Sequence, residues 1–517
     1  MKKSLVSFLL AFFFAVAFAN SYAAEIRNGL LFLDVEILPN ASQIHMNCPG
    51  KVKISEEGSP FQIELSDASI IFEITEKIKV TPYWKVGIAK FTSESDANSF
   101  LAKFPECSLE KNAKIVWRDG CLQQKNAFSI YLNKNFYDFN SALDSKESDG
   151  WVKEFFALSN PEIFIYDENS GKEFFLTCPL QITSETNITV TNVPKTNFWN
   201  PKKFVTRTYC GNLKLKINQI GKLNLISHVD LENYIAGVVP NEIGVNVPMD
   251  ALRAQAIAAR SEALFKMLAG THKNDGFDLC ASVHCQVYSG LSDVSAPVID
   301  AVKKSAYLVG IFDGRIINAV YSTNCGGKTA NNNDIWGGKK SPYLSSIYDA
   351  ASSKSIDLSN ERNVKNWIKN SENVFCNAKM ETGWKSKTYK WEKEFSRAEF
   401  ENMLNRISDL GKFRKIKILK RGESGRILKM QIEGSKNTII LDNELQIRRN
   451  LGGLRSSLFI MEESGDKIIF SGKGSGHGVG MCQIGAIEMS KRGYSAEEIL
   501  KHYFSGIKIS KINLLEE

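Results

Sequence analysis

A glutamate placed shortly before an alanine-rich segment is the residue of this sequence best placed to do chemistry. Glu242 follows the apolar segment Tyr234–Val239 and precedes Pro248 by six residues. An apolar approach removes water from a carboxyl and favours the neutral acid, the form that a general acid needs. The pattern predicts that Glu242 is a catalytic carboxyl on a loop. The alternative interpretation is that Glu242 is solvated and has no catalytic role.

A second group of residues has the chemistry of metal ligands. Cys280 and Cys285 are five residues apart, His284 adjoins the second of them, and His272 stands eight residues before the first. Thiolate and imidazole groups suit zinc, and His272, Cys280 and Cys285 are the predicted ligands. A disulfide between the two cysteines explains the pair equally well in an exported protein. The spacing leaves both interpretations open.

Two polar segments, Tyr321–Gly327 and Gly474–Gly485, have residue types that suit sugar binding. The first ends a predicted strand, and the second is glycine-rich without the Gly-Lys-Ser/Thr ending of a phosphate loop. Flat aromatic side chains nearby suit sugar rings, although packing explains each of them as well. The candidate substrate-binding residues are Arg260, Tyr321, Ser322, Asn324, Gly326, Gly327, Trp336, Tyr343, His477 and Gln483.

The element that must position Glu242 is a helix between Pro248 and Gly270. Proline suits a first helical turn and glycine suits a helix end. Alanines lie nearly all round this helix, which predicts close packing on several sides. Arg253 and Arg260 share one predicted face, so their guanidinium groups are expected to point the same way.

The length of 517 residues exceeds one hydrophobic core and predicts several domains. The predicted fold is multidomain α+β, with small β and α+β modules before an α+β catalytic domain. The predicted segments are a signal peptide (1–24), a β-rich module (25–80), an α+β module (81–182), a linker (183–205), the catalytic domain (206–510) and a tail (511–517).

Ordered blocks over residues 206–510 resemble the SpoIID/LytB family. They include DLENYIAGVVPNEI, PMDALRAQAIAARSEAL, STNCGGKT and GSGHGVGMCQIG. Cys482 departs from the family pattern, which usually has serine before Gln483. The resemblance implies a lytic transglycosylase that cuts peptide-free glycan strands, with Glu242 as its acid and base. It implies, alternatively, a non-catalytic amidase enhancer that binds peptidoglycan and works with an N-acetylmuramoyl-L-alanine amidase. No cofactor is required, and the zinc, if bound, is structural.

Residues 81–182 also resemble a sporulation-related SPOR module, which binds peptidoglycan. The segment YWKVGIAKFTSESDANSFLAKF combines a strand with a helix that begins after Ser93. An ordinary α+β domain of ferredoxin-like type would produce the same pattern. The sequence fits both a SPOR module and an ordinary α+β domain.

The first residues and the charge predict an exported protein of the periplasm or cell envelope. Lys2 and Lys3 precede the apolar run Leu5–Ala19, which is typical of a signal peptide. The formal charge of +8 falls to +6 without these two lysines, and basic residues are scattered. The sequence therefore predicts no nucleic-acid partner and no membrane span after signal cleavage. Among the ten cysteines, Cys107 and Cys121 are the easiest pair to join in the first half.

Overall fold

The computed structural model describes residues 24–147, 149–159, 161–195, 203–352, 356–378 and 388–515. The predicted signal peptide lies outside these residues except for Ala24. The chain divides into two compact units. The first takes its described residues from Met1–Tyr234, Lys266–Ser292 and Asn513–Glu517, and the second from Ile235–Phe265 and Asp293–Ile512. Helices and sheets in both units confirm the predicted multidomain α+β class.

The first unit is built mainly of strands. In chain order they are β1 (Glu25–Arg27), β2 (Leu30–Ala41), β3 (Gln43–Glu56), β4 (Gln62–Glu73), β5 (Val80–Phe91), β6 (Cys107–Arg118), β7 (Cys121–Leu132), β8 (Trp151–Leu158), β9 (Glu162–Asp167), β10 (Lys172–Thr177), β11 (Leu180–Ser184), β12 (Ile188–Pro194), β13 (Phe204–Tyr209), β14 (Asn212–Ile217), β15 (Leu223–Asp230) and β16 (Leu279–Cys280). Its helices are α1 (Glu94–Lys103) and α2 (Phe139–Asp144). Helices α3 (Leu231–Glu242) and α4 (Met249–Leu268) have residues in both units.

One sheet of the first unit joins strands from distant parts of the sequence. Its order is β1-β2-β15-β14-β11-β3-β4-β9-β10, with β12 paired to β3 and β13, and β16 paired to β2. Strand β12 lies inside the predicted linker 183–205, and β15 pairs with β2 across the predicted boundary at residue 206. Alternating apolar and polar residues predict a strand but do not say which strand it pairs with. These pairings could therefore not be predicted from the sequence.

Residues 80–158 form a separate antiparallel sheet with the element order β5-α1-β6-β7-α2-β8. The strand order β6-β7-β5-β8 is that of a ferredoxin-like unit. Ser93 caps α1 by accepting a hydrogen bond from the Asp96 N–H, and Ala97 packs against Phe128 and Ile130. Strand β28, defined below, pairs with β7, so part of the predicted tail is a strand. Peptidoglycan binding by this module stays a prediction.

The hairpin of β6 and β7 separates the cysteines that were expected to pair. Cys107 lies opposite Leu132, whereas Cys121 lies opposite Arg118 at the other end of the hairpin. A strand rises about 3.3 Å per residue, so the two cysteines are roughly 35 Å apart. The predicted Cys107–Cys121 pair is therefore wrong.

The second unit alternates short helices with small sheets. The helices are α5 (Ala296–Lys304), α6 (Asn332–Trp336), α7 (Glu361–Lys369), α8 (Arg397–Asn405), α9 (Glu444–Asn450), α10 (Gln483–Lys491) and α11 (Ala496–Tyr503). The strands are β17 (Leu308–Phe312), β18 (Arg315–Ile316), β19 (Tyr321–Ser322), β20 (Lys390–Ser396), β21 (Phe413–Arg421), β22 (Ile427–Gly434), β23 (Thr438–Leu441), β24 (Phe459–Ser464), β25 (Lys467–Lys473), β26 (Met481–Cys482) and β27 (Lys508–Lys511). The last strand of the chain, β28 (Asn513–Leu515), belongs to the first unit.

An aromatic core holds residues 390–470 of the second unit together. Phe400 of α8 packs with Phe413 and Phe470, and Trp391 and Phe459 belong to the same buried cluster. Helix α8 begins with a capping box, in which Ser396 and Glu399 exchange hydrogen bonds. This core is the frame from which the loop Gly474–Gly485 extends.

Helix α4 confirms the prediction of a central helix. It runs from the residue after Pro248 to Leu268, and Gly270 follows it with a φ of +64°. Its alanines from Ala251 to Ala263 are buried all round the helix. The small side chains allow neighbouring elements to approach the helix axis on several sides.

Candidate functional site

Glu242 is the last residue of helix α3 and is half-buried. Val238 and Val239, in the turn before it, are fully buried, as the apolar pattern predicted. The predicted loop is wrong, because Pro240 lies inside the last turn of the helix. A proline there removes a single helical hydrogen bond, and Gly244 N–H bonds to the Pro240 carbonyl to close the end.

The two arginines of α4 bind different partners. Arg253 Nη1 lies 2.8 Å from Asp250 Oδ1, whereas Arg260 is fully buried and donates from Nη1 to the Leu308 carbonyl at 3.0 Å. Arg260 therefore ties strand β17 to helix α4. Its burial favours a structural role over the predicted contact with a glycan.

The two polar segments lie side by side. Strands β19 and β26 pair in parallel, with Tyr321 opposite Met481. Asn324 and Ser475 exchange backbone hydrogen bonds of 3.1 and 2.8 Å, and Ala330 N–H bonds to the Gly478 carbonyl at 2.8 Å. The structure thus brings the strand end and the glycine-rich segment together into one ledge, the paired loops 320–330 and 474–484.

Several of the predicted sugar-binding residues are held inside this ledge. Asn324 is buried, accepts from Gly326 N–H and donates to the Cys376 carbonyl. Gln483 is buried and donates from Nε2 to Gln255 Oε1 at 3.3 Å. Ser322 is buried, and its Oγ has no hydrogen-bond partner among the described residues.

The glycines of the ledge are required by close packing. Gly326 and Gly327 have φ values of +77° and +97°. A Cβ at Gly327 would stand 2.6 Å from Cζ2 of Trp367, which donates from its indole N–H to the Gly326 carbonyl. These two glycines thus let a tryptophan side chain approach the backbone.

An aromatic pair joins the ledge to helix α6. Trp336 is 53% exposed, and its ring centroid lies 5.0 Å from that of His477. His477 Nδ1 accepts a hydrogen bond from Val479 N–H at 3.0 Å, which places the proton of the neutral ring on Nε2. Tyr343 is half-buried, and its hydroxyl accepts from Asn318 N–H at 3.1 Å. Trp336 therefore offers the open face that a sugar ring would need.

In the first unit, the predicted zinc ligands converge with one residue that the ligand prediction left out. The ligand atoms of His272, Cys280, His284 and Cys285 all lie within 4.8 Å of one another, and these four residues are called the His/Cys cluster. His272 Nε2 lies 3.3 Å from Cys285 Sγ, and His284 Nδ1 lies 3.7 and 3.6 Å from the two sulfurs. These separations approximate the edges of a tetrahedral zinc site, roughly 3.3 to 3.8 Å. Both thiols are free in this structure.

Hydrogen bonds around the His/Cys cluster also fit a zinc site. His272 Nδ1 lies 2.8 Å from Asp275 Oδ2, the carboxylate partner that metal-binding histidines usually have. Hydrogen bonds from Cys285 and then His272 lower the pKa of Cys280, despite its burial. His284 adjoins Cys285 in the sequence, and that adjacency was the signal that could have completed the ligand set.

A cavity of about 620 Å³ opens beside the His/Cys cluster. Its walls include Glu36, Phe156 and Ile220 together with His272 and His284. Burial raises the pKa of Glu36 to about 7, and the Asn224 amide donates to its Oε1 at 2.6 Å. The cavity gives solvent a route to the cluster.

Two family models match the chain. Residues 219–323 match the family described as Stage II sporulation protein, and residues 330–480 match a Domain of unknown function (DUF8618). The first match contains Glu242, the His/Cys cluster and the first residues of the ledge. No helix within the described part of the chain is long and apolar enough to cross a membrane.

Three relatives show the extent of the likeness. An uncharacterized protein of Brachyspira hyodysenteriae is 29% identical over 290 residues, which are 56% of this chain and 69% of that protein. The Stage II sporulation protein D of Bacillus subtilis is 26% identical over 303 residues, 55% of this chain and 76% of that protein. The amidase enhancer of Bacillus subtilis is 26% identical over 308 residues, 53% of this chain and 40% of that protein.

Proposed function

Starting from the SpoIID/LytB-family domain that this chain contains, we propose that the protein is a peptidoglycan lytic transglycosylase of the cell envelope. Its substrate is glycan stripped of stem peptides, and its products end in 1,6-anhydro-muramic acid. The observation that carries the proposal is the position of Glu242, which lies in the matched region and follows a fully buried apolar turn.

Glu242 serves as the acid and then as the base. It first donates its proton to the oxygen that leaves the muramic acid, which breaks the glycosidic bond. The resulting carboxylate then takes the proton of the 6-hydroxyl of the same sugar, whose oxygen bonds to the anomeric carbon. The carboxyl is restored to its starting form, so a nucleophilic second carboxylate of the kind used by retaining glycosidases is not obligatory.

The helix supports the protonated starting state. Glu242 stands at the C-terminal end of α3, where the backbone dipoles leave partial negative charge. Negative charge next to a carboxyl favours the neutral acid. Trp336 supplies a flat surface for a sugar ring, and the imidazole of His477 packs against its indole.

The direct test is incubation of the purified protein with denuded glycan strands, followed by mass spectrometry of the soluble fragments. The proposal expects fragments with 1,6-anhydro ends, which lack the water that hydrolysis would add. Fragments with reducing ends would show that water is the nucleophile and would reject the transglycosylase reaction.

The name of one relative favours a second candidate function, stimulation of an amidase. In that case the protein binds peptidoglycan and accelerates the release of stem peptides by a separate enzyme. Amidase activity on intact sacculi, measured with and without added protein, tests this role. Stimulation that survives loss of the Glu242 carboxyl, with no anhydro products from denuded strands, would favour the amidase enhancer.

The His/Cys cluster is proposed to hold a structural zinc ion. Its two thiols and two imidazoles have the donor types and separations that zinc requires. The ion would tie the segment after α4 to strand β16, which ends at Cys280. The transglycosylase reaction uses the carboxyl of Glu242 and does not depend on a zinc ligand.

A further inference from the structure

Four buried side chains of the second unit converge below the ledge. The ligand atoms of Cys325, Asp349, Cys376 and Cys482 all lie within 4.8 Å of one another. We call these residues the buried thiol cluster. Each of them is fully buried, and they come from four separate segments of the chain.

The cluster contains polar groups where a core would normally be apolar. Asp349 Oδ2 accepts from Cys376 N–H at 3.1 Å and lies 3.3 Å from Cys325 Sγ. The imidazole of His502 gives this carboxylate a partner, with Nε2 3.5 Å from Asp349 Oδ1. A metal ion would give the carboxylate a further partner and would explain why three sulfurs converge on it.

The distances suit a tetrahedral metal site. Cys325 Sγ lies 3.5 Å from Cys376 Sγ and 3.3 Å from Asp349 Oδ2. With zinc–sulfur bonds of about 2.3 Å, the edge of a tetrahedron of sulfurs is about 3.8 Å, and a sulfur–oxygen edge is shorter. These two separations are within a few tenths of an ångström of the edges of a zinc site, and the other four are at most 4.8 Å.

The surroundings of the cluster stabilise negative sulfur and orient the carboxylate. Cys325 N–H donates to Cys482 Sγ at 3.2 Å, and Cys482 immediately precedes helix α10, whose N-terminal N–H groups favour a thiolate. Tyr503 donates its hydroxyl to Asp349 Oδ1 at 2.7 Å. Outer hydrogen bonds of this kind commonly orient metal-binding carboxylates.

A buried positive charge lies beside the cluster and offsets part of its negative charge. Arg426 is fully buried and donates from Nη2 to the Cys325 carbonyl at 3.1 Å. Its Nε has no hydrogen-bond partner within the part of the chain that the structure describes. Thiolates and a carboxylate carry more negative charge than one divalent ion neutralises, so a neighbouring guanidinium is suited to such a site.

From this geometry we propose that the buried thiol cluster is a second zinc site, with three cysteine sulfurs and one Asp349 oxygen as its ligands. Binding releases the three thiol protons to solvent, because zinc takes cysteine as thiolate. The site is separate from the His/Cys cluster and does not depend on the proposed transglycosylase activity.

The zinc site would join the two loops of the ledge to neighbouring segments of the chain. Cys325 belongs to the loop that follows β19, and Cys482 is the residue of β26 that pairs with Ser322. Zinc would fix these two segments to Asp349 and Cys376, and so hold the loops that carry Asn324 and Gln483. Its loss is expected to affect stability first and glycan binding only through the loops.

The competing outcome is oxidation. Cys325 and Cys376 could form a disulfide if an oxidant removed two electrons and two protons, and that would leave a single thiol and the carboxylate. A Cys325–Cys376 disulfide and a zinc ion bound to both sulfurs exclude each other. Zinc content and disulfide mapping therefore distinguish the two outcomes.

The test uses the protein with Cys285→Ser, which removes one thiolate ligand and so weakens zinc binding at the His/Cys cluster. It is purified without chelator, given zinc and desalted, and its metal is measured by mass spectrometry. We expect about one zinc per chain, falling toward zero when Cys376→Ser is added. Added Cys121→Ser is the control, since Cys121 is outside both clusters, and it should leave the zinc content unchanged.

X-ray absorption of the Cys285→Ser protein provides a second readout that does not depend on the folding of the Cys376 variant. Three sulfurs and one oxygen in the zinc shell support the proposal. Absence of zinc from the Cys285→Ser protein, or a Cys325–Cys376 disulfide mapped in its peptides, would overturn it.

Discussion

Trp336 is the residue on which the sugar-binding half of the proposal depends. It is exposed at the end of α6 and contacts His477, whereas Asn324 of the ledge is buried and bonded to backbone groups. In the proposal, glycan recognition relies on the flat face of Trp336 beside the imidazole of His477. Aromatic rings contribute binding area at low cost in conformational entropy.

Trp336→Ala should weaken binding to denuded glycan by roughly fivefold, since an aromatic contact of this kind is worth about 1 kcal/mol. The thermal unfolding midpoint should stay close to that of the original protein, because the side chain is exposed. Sedimentation with glycan strands measures the affinity. Ile440→Ala is the matched control, with 52% exposure on β23. Equal binding by both variants would remove Trp336 from the site.

The structure of the ledge depends on close contact between the Gly327 backbone and the Trp367 side chain. Gly327→Ala should cost at least about 2 kcal/mol of unfolding free energy, because the added Cβ meets the Trp367 ring and φ is positive. Gly338→Ala is the control, since φ is +72° there and a Cβ would meet no described atom within 4 Å. It should cost only about 1 kcal/mol. Urea unfolding of both variants gives the difference, and equal costs would refute the packing argument.

Strand β2 of the first unit carries a buried ion network that makes stability depend on pH. Asp34 is buried with Lys214 Nζ 2.8 Å and His228 Nδ1 2.7 Å from its oxygens. Burial alone would raise the pKa of Asp34, but the His228 hydrogen bond and the Lys214 charge outweigh it and lower the pKa below 3.8. The folded state then binds fewer protons than the unfolded state in acid, so this stability is lost as the pH falls.

Asp34→Asn should therefore lower the unfolding free energy by about 3 kcal/mol at pH 7. The difference from the original protein should be present above the ordinary aspartate pKa and shrink as the pH falls through the lowered one. Urea unfolding at pH 7 and near pH 3 measures it. Asp313→Asn, at an exposed turn, should change little at either pH. A pH-independent loss in the Asp34 variant would contradict the assigned pKa direction.

Local signals in the sequence predicted elements better than they predicted partners. Helix α4 was predicted because Pro248 and Gly270 mark its ends, whereas the last turn of α3 was predicted to be a loop because it contains Pro240. Residues 188–194 looked like a linker because Thr, Asn and Pro surround them, yet they form β12. Their pairing with β3 is set by contacts across more than a hundred residues, which local patterns do not contain.

The candidate sites were also predicted better where their residues are close together in the sequence. His272, Cys280 and Cys285 were predicted from ligand type and short spacing, and the structure brings them together. The buried thiol cluster was not predicted, because Cys325, Cys376 and Cys482 are far apart in the sequence. The pairing of β19 with β26 and the hydrogen bonds to Asp349 bring those sulfurs within 4.8 Å of one another.

At the scale of the whole molecule, the proposal makes the enzyme dependent on a prior reaction. If the site accepts only bare glycan, a stem peptide on the lactyl group would clash with it or leave polar groups unpaired. Intact sacculi should release soluble fragments at least about tenfold more slowly than sacculi treated with an amidase. Release of anhydro fragments is followed by chromatography, with heat-inactivated amidase as the control. Equal rates on both substrates would contradict the required order.

The most direct test of the central claim is the turnover of Glu242→Gln on denuded glycan strands. Glutamine keeps the shape and hydrogen bonding of the side chain but cannot donate and recover a proton. The account predicts a folded protein that still binds glycan and forms anhydro ends at least about 10²-fold more slowly. Glu232→Gln, in the first turn of the same helix, should retain normal turnover. Near-normal turnover by the Glu242 variant would contradict the account.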